Sequence, residues 1–423
     1  MNVLALIDGE HYPAVVRDAL EELPHRVVAA LFVGGAEKVD EEEDYGVPLA
    51  HDLDEALAHH EVELVYDLSD EPVLGPVERL RLASRVLARG VPYEGADFRF
   101  DPPPFEPFEL PSLGIIGTGK RVGKTAVSGY VARLLARERE IVVVAMGRGG
   151  PPEPELAEVP PTLEQLLELS RSGRHAASDY LEDAALAGVV TVGCRRCGGG
   201  LAGAPVVSNV RAGAELAASR RPDLVIFEGS GTALPPIATG KRLVVAGAHQ
   251  PPELVVGYLN AYRILISDLV VLTMAEQGSR HEELREVIVE LAPETPVVAT
   301  IMRPRPVEDV SGERVAFFST APESVLERLG DHLGETHGAE VVHVSSNLAR
   351  RKALRQELES VDADVFLVEI KAAAIDVVAE AAAQTGTRVV FCDNEILPLP
   401  DEPDLDGMLR ALAEAAQAQP ALP

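Results

Sequence analysis

The stretch GTGKRVGKTA at residues 117–126 decides the fold of this chain. A short apolar run at 113–117 precedes it, and a helix is predicted from about residue 123 to residue 139. Glycines let backbone N–H groups turn toward a ligand without a Cβ clash, and the start of a helix adds positive potential. A strand, a loop and a helix in this order therefore predict a phosphate-binding loop for a nucleotide.

Two residues at the end of this loop carry its predicted chemistry. Lys124 would reach the β- and γ-phosphates, and the hydroxyl of Thr125 would bind Mg²⁺. The usual spacing places a glycine at position 118, where this sequence has Thr118 between two glycines. An ordinary glycine-rich turn is the alternative. We predict that the nucleotide is held by Gly117, Thr118, Gly119, Lys120, Arg121, Gly123, Lys124, Thr125 and Ala126.

A second segment, DLVIFEGSG at 223–231, indicates a buried strand that ends in an acid, Glu228. A carboxylate at the end of a strand beside a phosphate loop is well placed to hold Mg²⁺. The alternative is a structural acid near the start of a helix. We predict Thr125 and Glu228 as the residues that bind the metal.

Arginines beside glycines occur in two further segments, VVAMGRGGPPEPE at 143–155 and GCRRCGGG at 193–200. Guanidinium groups bind phosphate oxygens through paired hydrogen bonds, so these arginines are candidate ligands of anionic groups. The adjacent pair at 195 and 196 is suited to clamping one phosphate. We predict that the catalytic cations are Lys120, Lys124, Arg148, Arg195 and Arg196.

Two other motifs leave alternatives open. Cys194 and Cys197 form a CxxC, but a zinc site needs two more ligands and the sequence has no second CxxC. A metal or redox role is therefore the minor hypothesis for these cysteines. Residues 172–184 predict a helix with acids three and four positions apart, which share one face. That face is either solvated or positions metal or substrate through His175, Asp179, Glu182 and Asp183.

Composition excludes several classes of protein. The chain has 423 residues, of which 46% are hydrophobic and 25% charged, which is typical of a globular protein. No apolar run approaches about 18 residues, so no membrane span is predicted. The net charge of −30 disfavours nucleic-acid and anionic-membrane partners. Three cysteines and the absence of a signal-like N-terminus predict a cytoplasmic protein.

The pattern of apolar runs and breaks predicts the domain organisation. Strongly apolar runs that alternate with helical segments are typical of a parallel sheet covered by helices. The proline-rich segment DPPPFEPFELP at 101–111 predicts a stiff linker. A second proline-rich stretch, MRPRP at 302–306, marks the predicted break before the C-terminal βα pattern. Residues 151–215 look like a substrate-binding insertion. We predict an N-terminal α/β domain at 1–108, a nucleotide- and substrate-binding core at 109–305 and a C-terminal α/β domain at 306–423.

The motifs together resemble a known family. GTGKRVGKT resembles the phosphate loop of dethiobiotin synthetase, and EGSG at 228–231 resembles the E-G-A-G of that family. The ordered set GTGKRVGKTAVSG, MGRGGPPEPE, SDYLEDA, GCRRCGGG and FEGSG is more specific. In this order the motifs resemble the cyclic 2,3-diphosphoglycerate synthetase family, and the resemblance covers most of the chain.

The resemblance implies a P-loop NTPase core with a mainly parallel sheet, flanked by N- and C-terminal α/β regions. It implies a ligase that uses ATP and Mg²⁺ to close 2,3-diphosphoglycerate into its cyclic pyrophosphate, releasing ADP and phosphate. A site for this substrate needs cations in addition to those that bind ATP. The predicted arginines would supply these additional cations. The alternatives are another dethiobiotin-synthetase-like ligase that acts on a carboxylate, and a nucleotide switch or metal-insertion protein. Nucleic acid and membrane are not expected partners, and formation of a homodimer is left open.

Overall fold

The computed structural model describes residues 1–35, 44–172, 179–370 and 375–416. Within these ranges the chain forms an α/β fold with two sheets, one of six strands and one of 13. Most neighbouring strands run parallel, and their apolar side chains are buried on both faces, as expected for sheets covered by helices. The predicted α/β class with a mainly parallel sheet is confirmed.

The N-terminal part of the chain forms the six-stranded sheet. Its strand order is β3-β2-β1-β4-β5-β6, in which only the pair β5 and β6 is antiparallel. The strands are β1 (Asn2–Ile7), β2 (Arg26–Phe32), β3 (Leu49–Ala50), β4 (Leu64–Asp67), β5 (Tyr93–Gly95) and β6 (Arg99–Phe100).

The larger sheet starts from the strand that carries the phosphate loop. Its central order is β11-β10-β8-β12-β7-β13-β14-β15, and the strands from β10 to β15 along this order run parallel. Their carboxyl ends therefore lie along one edge, where the candidate site is found. These strands are β7 (Ser112–Gly117), β8 (Ile141–Gly147), β9 (Glu155–Ala157), β10 (Val190–Cys197), β11 (Val207–Ser208), β12 (Leu224–Glu228), β13 (Lys241–Gly247), β14 (Leu269–Thr273) and β15 (Val297–Pro306).

The C-terminal strands continue the same sheet. The order after β15 is β19-β18-β16-β17, and the pair β15 and β19 is antiparallel, whereas the others are parallel. The strands are β16 (Arg314–Phe318), β17 (Glu340–Ser345), β18 (Val365–Glu369) and β19 (Arg388–Pro398).

Helices cover both faces of these sheets. Helix α4 directly follows the phosphate loop, and its apolar side packs into a core with residues of β7, β8, β12, β13 and β14. The helices are α1 (Pro13–Glu22), α2 (Leu53–His59), α3 (Pro76–Ala88), α4 (Lys124–Leu135), α5 (Leu163–Arg171), α6 (Asp179–Ala187), α7 (Val210–Ser219), α8 (Pro252–Val255), α9 (Asn260–Leu265), α10 (His281–Leu291), α11 (Leu326–His337), α12 (Arg351–Leu358), α13 (Ile375–Thr385) and α14 (Leu405–Ala415).

Two expectations about chain organisation need correction. The segment 151–215 is not only an insertion, because β10 belongs to the parallel core of the sheet. The proline-rich segment 302–306 does not break the sheet, because it is the second half of β15 and pairs with β19. Strand β14 pairs only with residues 297–299 of β15, so beyond them that edge is open and prolines without an N–H are tolerated. The domain limits stay a prediction.

Candidate active site

The phosphate loop is fixed by two strands, β13 and β14, that lie on one side of β7 in the sheet. The N–H of Thr118 donates to the carbonyl oxygen of Val245 in β13 at 3.0 Å. The hydroxyl of Thr273, at the end of β14, donates to the carbonyl oxygen of Val122 at 2.7 Å. Gly123 has a φ of +85°, and a Cβ there would lie 3.1 Å from the Met302 sulfur, so this position requires glycine.

Thr118 occupies a buried position that does not need a glycine. Its hydroxyl donates to Oε1 of Gln250 at 2.6 Å, and the same oxygen accepts from the N–H of Gly247 at 2.9 Å. Nδ2 of Asn260 donates to the carbonyl oxygen of Thr118 at 3.0 Å. The Thr118 side chain thus anchors the loop and does not line the cavity. The sequence analysis missed Gln250 and Asn260, and no local motif marks them.

A cavity of about 300 Å³ opens beside the loop, at the carboxyl ends of β7, β8 and β12. It brings together residues from the phosphate loop, from the loop after β8, from the start of α6 and from the segment after β12. The lining residues are Lys120, Arg121, Lys124, Thr125, Gly147, Arg148, Gly149, Asp179, Glu228, Gly229, Ser230 and Gly231.

The other predicted loop residues support the cavity without lining it. A Cβ at Gly117 would lie 2.8 Å from Cδ of Lys124, so this glycine makes room for the lysine stem. A Cβ at Gly119 would lie 2.8 Å from Nε2 of Gln250. Ala126 is buried in the first turn of α4. These residues can offer only backbone groups or space to a bound nucleotide.

Lys124 is a buried cation at the centre of the site. Its side chain is 8% exposed, and Nζ donates to the carbonyl oxygen of Gly119 at 3.5 Å. Burial lowers the pKa of Lys124, whereas the charges of Glu228 and Asp179 act against this shift. Nearby carboxylates, and an anion bound in the cavity, would favour the charged form of the ammonium.

Glu228 is a buried carboxylate at the end of β12. Burial and the charge of Asp179 raise its pKa, while Lys124, a hydrogen bond with Asp183 and one from the Thr125 hydroxyl lower it. Its Oε2 has no hydrogen-bond partner among the described residues. An unsatisfied buried carboxylate oxygen beside a hydroxyl is the kind of donor set that Mg²⁺ prefers. The residues Thr125 and Glu228 therefore fit the metal predicted for them.

The acids of α6 are shielded from solvent, and Asp179 and Asp183 belong to the site. Asp179 lines the cavity, and Glu182 and Asp183 are buried at 8% and 2% exposure. Burial and the charge of Glu228 raise the pKa of Asp183. The solvated-face alternative is therefore wrong for this helix. His175, which was grouped with these acids, lies outside the described residues.

Two arginines converge on the cavity wall at Gly231. A Cβ at Gly231 would lie 2.8 Å from Nη2 of Arg148 and 3.5 Å from Nη2 of Arg196. Arg196 donates to the carbonyl oxygens of Ser230 at 2.7 Å and Gly198 at 2.8 Å, and its buried Nε lacks a partner. Neither guanidinium forms an ion pair with a carboxylate of the described residues.

Arg195 and Arg196 do not form the adjacent clamp that the sequence suggested. Side chains alternate between the faces of a strand, and β10 includes both residues. Cys194 shares a face with Arg196 and lies against Gly213 of α7. Arg195 is exposed on the other face, on which α6 packs through Tyr180 and Gly193. The contribution of Arg195 stays a prediction.

The CxxC motif is split in the same way. Cys194 is buried and Cys197 is exposed. Burial raises the pKa of the Cys194 thiol to about 12. In the described parts of the chain, no group of three or more histidine, cysteine or acidic side chains is arranged to hold a metal ion.

Among the helices at 1–35, 44–172, 179–370 and 375–416, none combines the length and the apolar character that crossing a bilayer requires.

Comparisons with protein families give one consistent match. Models of the cyclic 2,3-diphosphoglycerate synthetases match residues 2–101 with their N-terminal domain and residues 112–301 with their P-loop domain. Residues 306–395 match their C-terminal domain.

Individual relatives agree with the family models. The cyclic 2,3-diphosphoglycerate synthetase of Rubrobacter xylanophilus is 53% identical over 98% of each chain, and that of Thermococcus gammatolerans 48% over 93% of each. The enzyme of that name from Methanothermus fervidus is 43% identical over 93% of this chain and 92% of its own. Among solved structures, LpxK from Aquifex aeolicus has a TM-score of 0.44 at 12% identity, covering 79% of this chain and 94% of that chain.

Proposed function

We propose that this chain, which belongs to the cyclic 2,3-diphosphoglycerate synthetase family, binds both of its substrates at the cavity beside Lys124. The enzyme is an ATP-dependent ligase that forms cyclic 2,3-diphosphoglycerate from 2,3-diphosphoglycerate. Its P-loop domain binds the nucleotide. The proposal concerns which residues hold the two substrates and the metal.

The observation that carries the proposal is an excess of cations without acidic partners. Lys120, Arg121 and Arg148 line the cavity, and none forms an ion pair with a carboxylate of the described residues. The guanidinium of Arg196 lies close to that of Arg148, beside Gly231. A chain with a net charge of −30 has ample acids to neutralise these groups. Cations left unpaired in one cavity favour a second polyanion besides ATP, and 2,3-diphosphoglycerate carries two phosphates and a carboxylate.

The phosphate loop and the arginine wall would divide the two substrates between them. Lys124, buried next to the loop backbone, would hold the terminal phosphates of ATP. Arg148 and Arg196 would hold the phosphates of 2,3-diphosphoglycerate. Thr125 and Glu228 would hold Mg²⁺, which neutralises charge that develops on transferred phosphoryl oxygens.

We propose two displacement steps. In the first, an oxygen of one substrate phosphate attacks the γ-phosphorus of ATP, the bond to the β-phosphate oxygen breaks, and ADP leaves. In the second, an oxygen of the neighbouring phosphate attacks the phosphorus that now carries the transferred group. The bond to that group breaks, inorganic phosphate leaves, and the ring closes. The cations contribute mainly by screening repulsion between phosphates and by fixing their orientation.

The overall reaction is tested directly by ³¹P NMR. The purified protein with ATP, Mg²⁺ and 2,3-diphosphoglycerate should produce a new pyrophosphate-type resonance and an equal amount of ADP. With 3-phosphoglycerate, which lacks one of the two phosphates, no such resonance should form. ADP formation that is indifferent to 2,3-diphosphoglycerate would contradict the proposal.

Arg148 offers a test of the substrate side. Replacing Arg148 by alanine should raise the KM for 2,3-diphosphoglycerate about 10- to 100-fold and change the KM for ATP much less, because one charge-assisted contact is lost. Steady-state kinetics with each substrate varied in turn measures both constants. Arg137→Ala, an exposed arginine beyond the far end of α4, is the matched control and should behave like the unchanged enzyme. Equal changes in the two KM values would argue against this assignment.

A further inference from the structure

Arg263, in helix α9, carries a buried guanidinium whose hydrogen bonds within the described residues all go to backbone carbonyls. Its side chain is 1% exposed, and no ion pair joins it to a carboxylate in the described ranges. Nε and Nη2 donate to the carbonyl oxygen of Thr232 at 2.8 and 2.6 Å. Nη1 donates to that of Leu259 at 2.7 Å, and Nη2 to that of Leu201 at 3.1 Å. Burial lowers the pKa of Arg263 to about 10.

This arrangement joins three separate segments of the chain. Leu201 lies in the 198–204 loop after β10, Thr232 lies in the 229–234 loop after β12, and Leu259 directly precedes α9. Burying a charge without a counter-charge is costly, and carbonyl dipoles have to compensate for the lost hydration. A neutral side chain could not donate to three carbonyls at once. The free-energy cost of burying Arg263 has an explanation if these loops must keep their positions beside the cavity.

The 229–234 loop forms part of the cavity wall, and the 198–204 loop is hydrogen-bonded to it. Gly229, Ser230 and Gly231 line the cavity, and the N–H of Leu234 donates to the carbonyl oxygen of Gly203 at 2.9 Å. Arg196 donates to the carbonyl oxygen of Ser230. A shift of the 229–234 loop would therefore move Arg196 and the wall that faces Arg148.

We infer that Arg263 is a positioning residue for the 2,3-diphosphoglycerate side of the cavity. It holds the 198–204 and 229–234 loops together, so that Arg196 and Gly231 keep their places beside Arg148. On the nucleotide side the hydrogen bonds come from other side chains, those of Gln250, Asn260 and Thr273, of which Asn260 also belongs to α9. The consequence for the substrate rests on the proposed function, whereas the link between the two loops does not.

Arg263→Met is the direct test, because methionine fills space in the same core but donates no hydrogen bond. We expect the KM for 2,3-diphosphoglycerate to rise about tenfold and the KM for ATP to change by less than about threefold. Gly203→Ala is an independent test, because a Cβ there would lie 2.9 Å from Nη2 of Arg263 and 2.7 Å from Cγ of Leu234. This variant should likewise raise the KM for 2,3-diphosphoglycerate more than the KM for ATP.

Arg242→Met is the matched control. Arg242 also donates to a backbone carbonyl, that of Ile266, but it lies at the start of β13, at the opposite edge of the sheet from the cavity. This variant should change the two KM values equally or not at all. The inference is overturned if Arg263→Met and Gly203→Ala leave the ratio of the KM values unchanged, or if Arg242→Met shifts it equally. Should Arg263→Met not fold, Gly203→Ala decides.

Amide hydrogen exchange separates this inference from the proposed function. In Arg263→Met, the N–H of Leu234, which bridges the two loops, should exchange at least about tenfold faster than in Arg242→Met. Unchanged exchange would overturn the role of Arg263 even if ring closure is confirmed. Faster exchange in an enzyme that forms no cyclic product would leave Arg263 as the link between the loops and reject the proposed substrate.

Discussion

Replacing Lys124 by methionine is expected to lower kcat/KM for ATP-dependent ring closure by about 10³-fold or more. Methionine keeps an unbranched stem against Gly117, where space is tight, but removes the ammonium. Lys124 is the lysine that the phosphate loop buries, whereas Lys120 in the same loop is exposed. A charge held in a water-poor site stabilises a transferring phosphoryl group more than an exposed one does. Coupled measurement of ADP release, with thermal denaturation to confirm folding, tests this.

A surface lysine provides the matched control for this variant. Lys352→Met alters an exposed lysine on α12, outside the cavity, and should leave kcat/KM within about twofold. Because burial lowers the pKa of Lys124, its loss need not destabilise the fold strongly. A folded Lys124→Met enzyme that keeps kcat/KM within tenfold of the unchanged enzyme would show that the loop does not hold the γ-phosphate.

The elements that the sequence predicts best are those whose signals are local. Strand β7, the phosphate loop and α4 follow one another, so apolar runs and glycine spacing are enough to find them. Glu228 is found for the same reason, because an apolar strand ends at it. Arg148 also lies in a glycine-rich segment after a strand. These residues do meet in one cavity, which parallel strands with adjacent carboxyl ends make natural.

The residues that the sequence analysis missed depend on contacts between distant segments. Gln250 and Asn260 anchor Thr118 across more than a hundred residues of chain, and neither belongs to a motif. Arg263 appears in the sequence as one more arginine, although its burial sets it apart. The adjacent arginines at 195 and 196 suggested one clamp in the sequence, but neighbouring side chains alternate between the two faces of β10. The prolines at the end of β15 indicated a break in the chain, but this segment forms a strand because it pairs with β19.

Glu228→Gln is expected to lower kcat by about 10²-fold or more while leaving the fold intact. Glutamine has the shape of glutamate but lacks the negative charge that would hold Mg²⁺ with Thr125. The concentration of Mg²⁺ needed for half-maximal activity should therefore rise. Titration of Mg²⁺ at saturating ATP measures this, and Glu164→Gln, an exposed acid on α5, is the control that should show neither change.

The same substitution should make the protein more stable at neutral and higher pH. Burial and Asp179 raise the pKa of Glu228 from 4.5 to about 7, so the folded chain binds more protons than the unfolded chain between these values. The free energy of unfolding therefore falls as the pH rises through this window and stays lower above it. Glutamine does not titrate, so at about pH 8 the variant should exceed the unchanged protein by about 1–3 kcal/mol. Urea unfolding of both proteins at about pH 4.5 and pH 8 measures the difference. A variant that is less stable at pH 8, or whose advantage is the same at both pH values, would mean that Glu228 is ionised at no cost and is stabilised by Lys124.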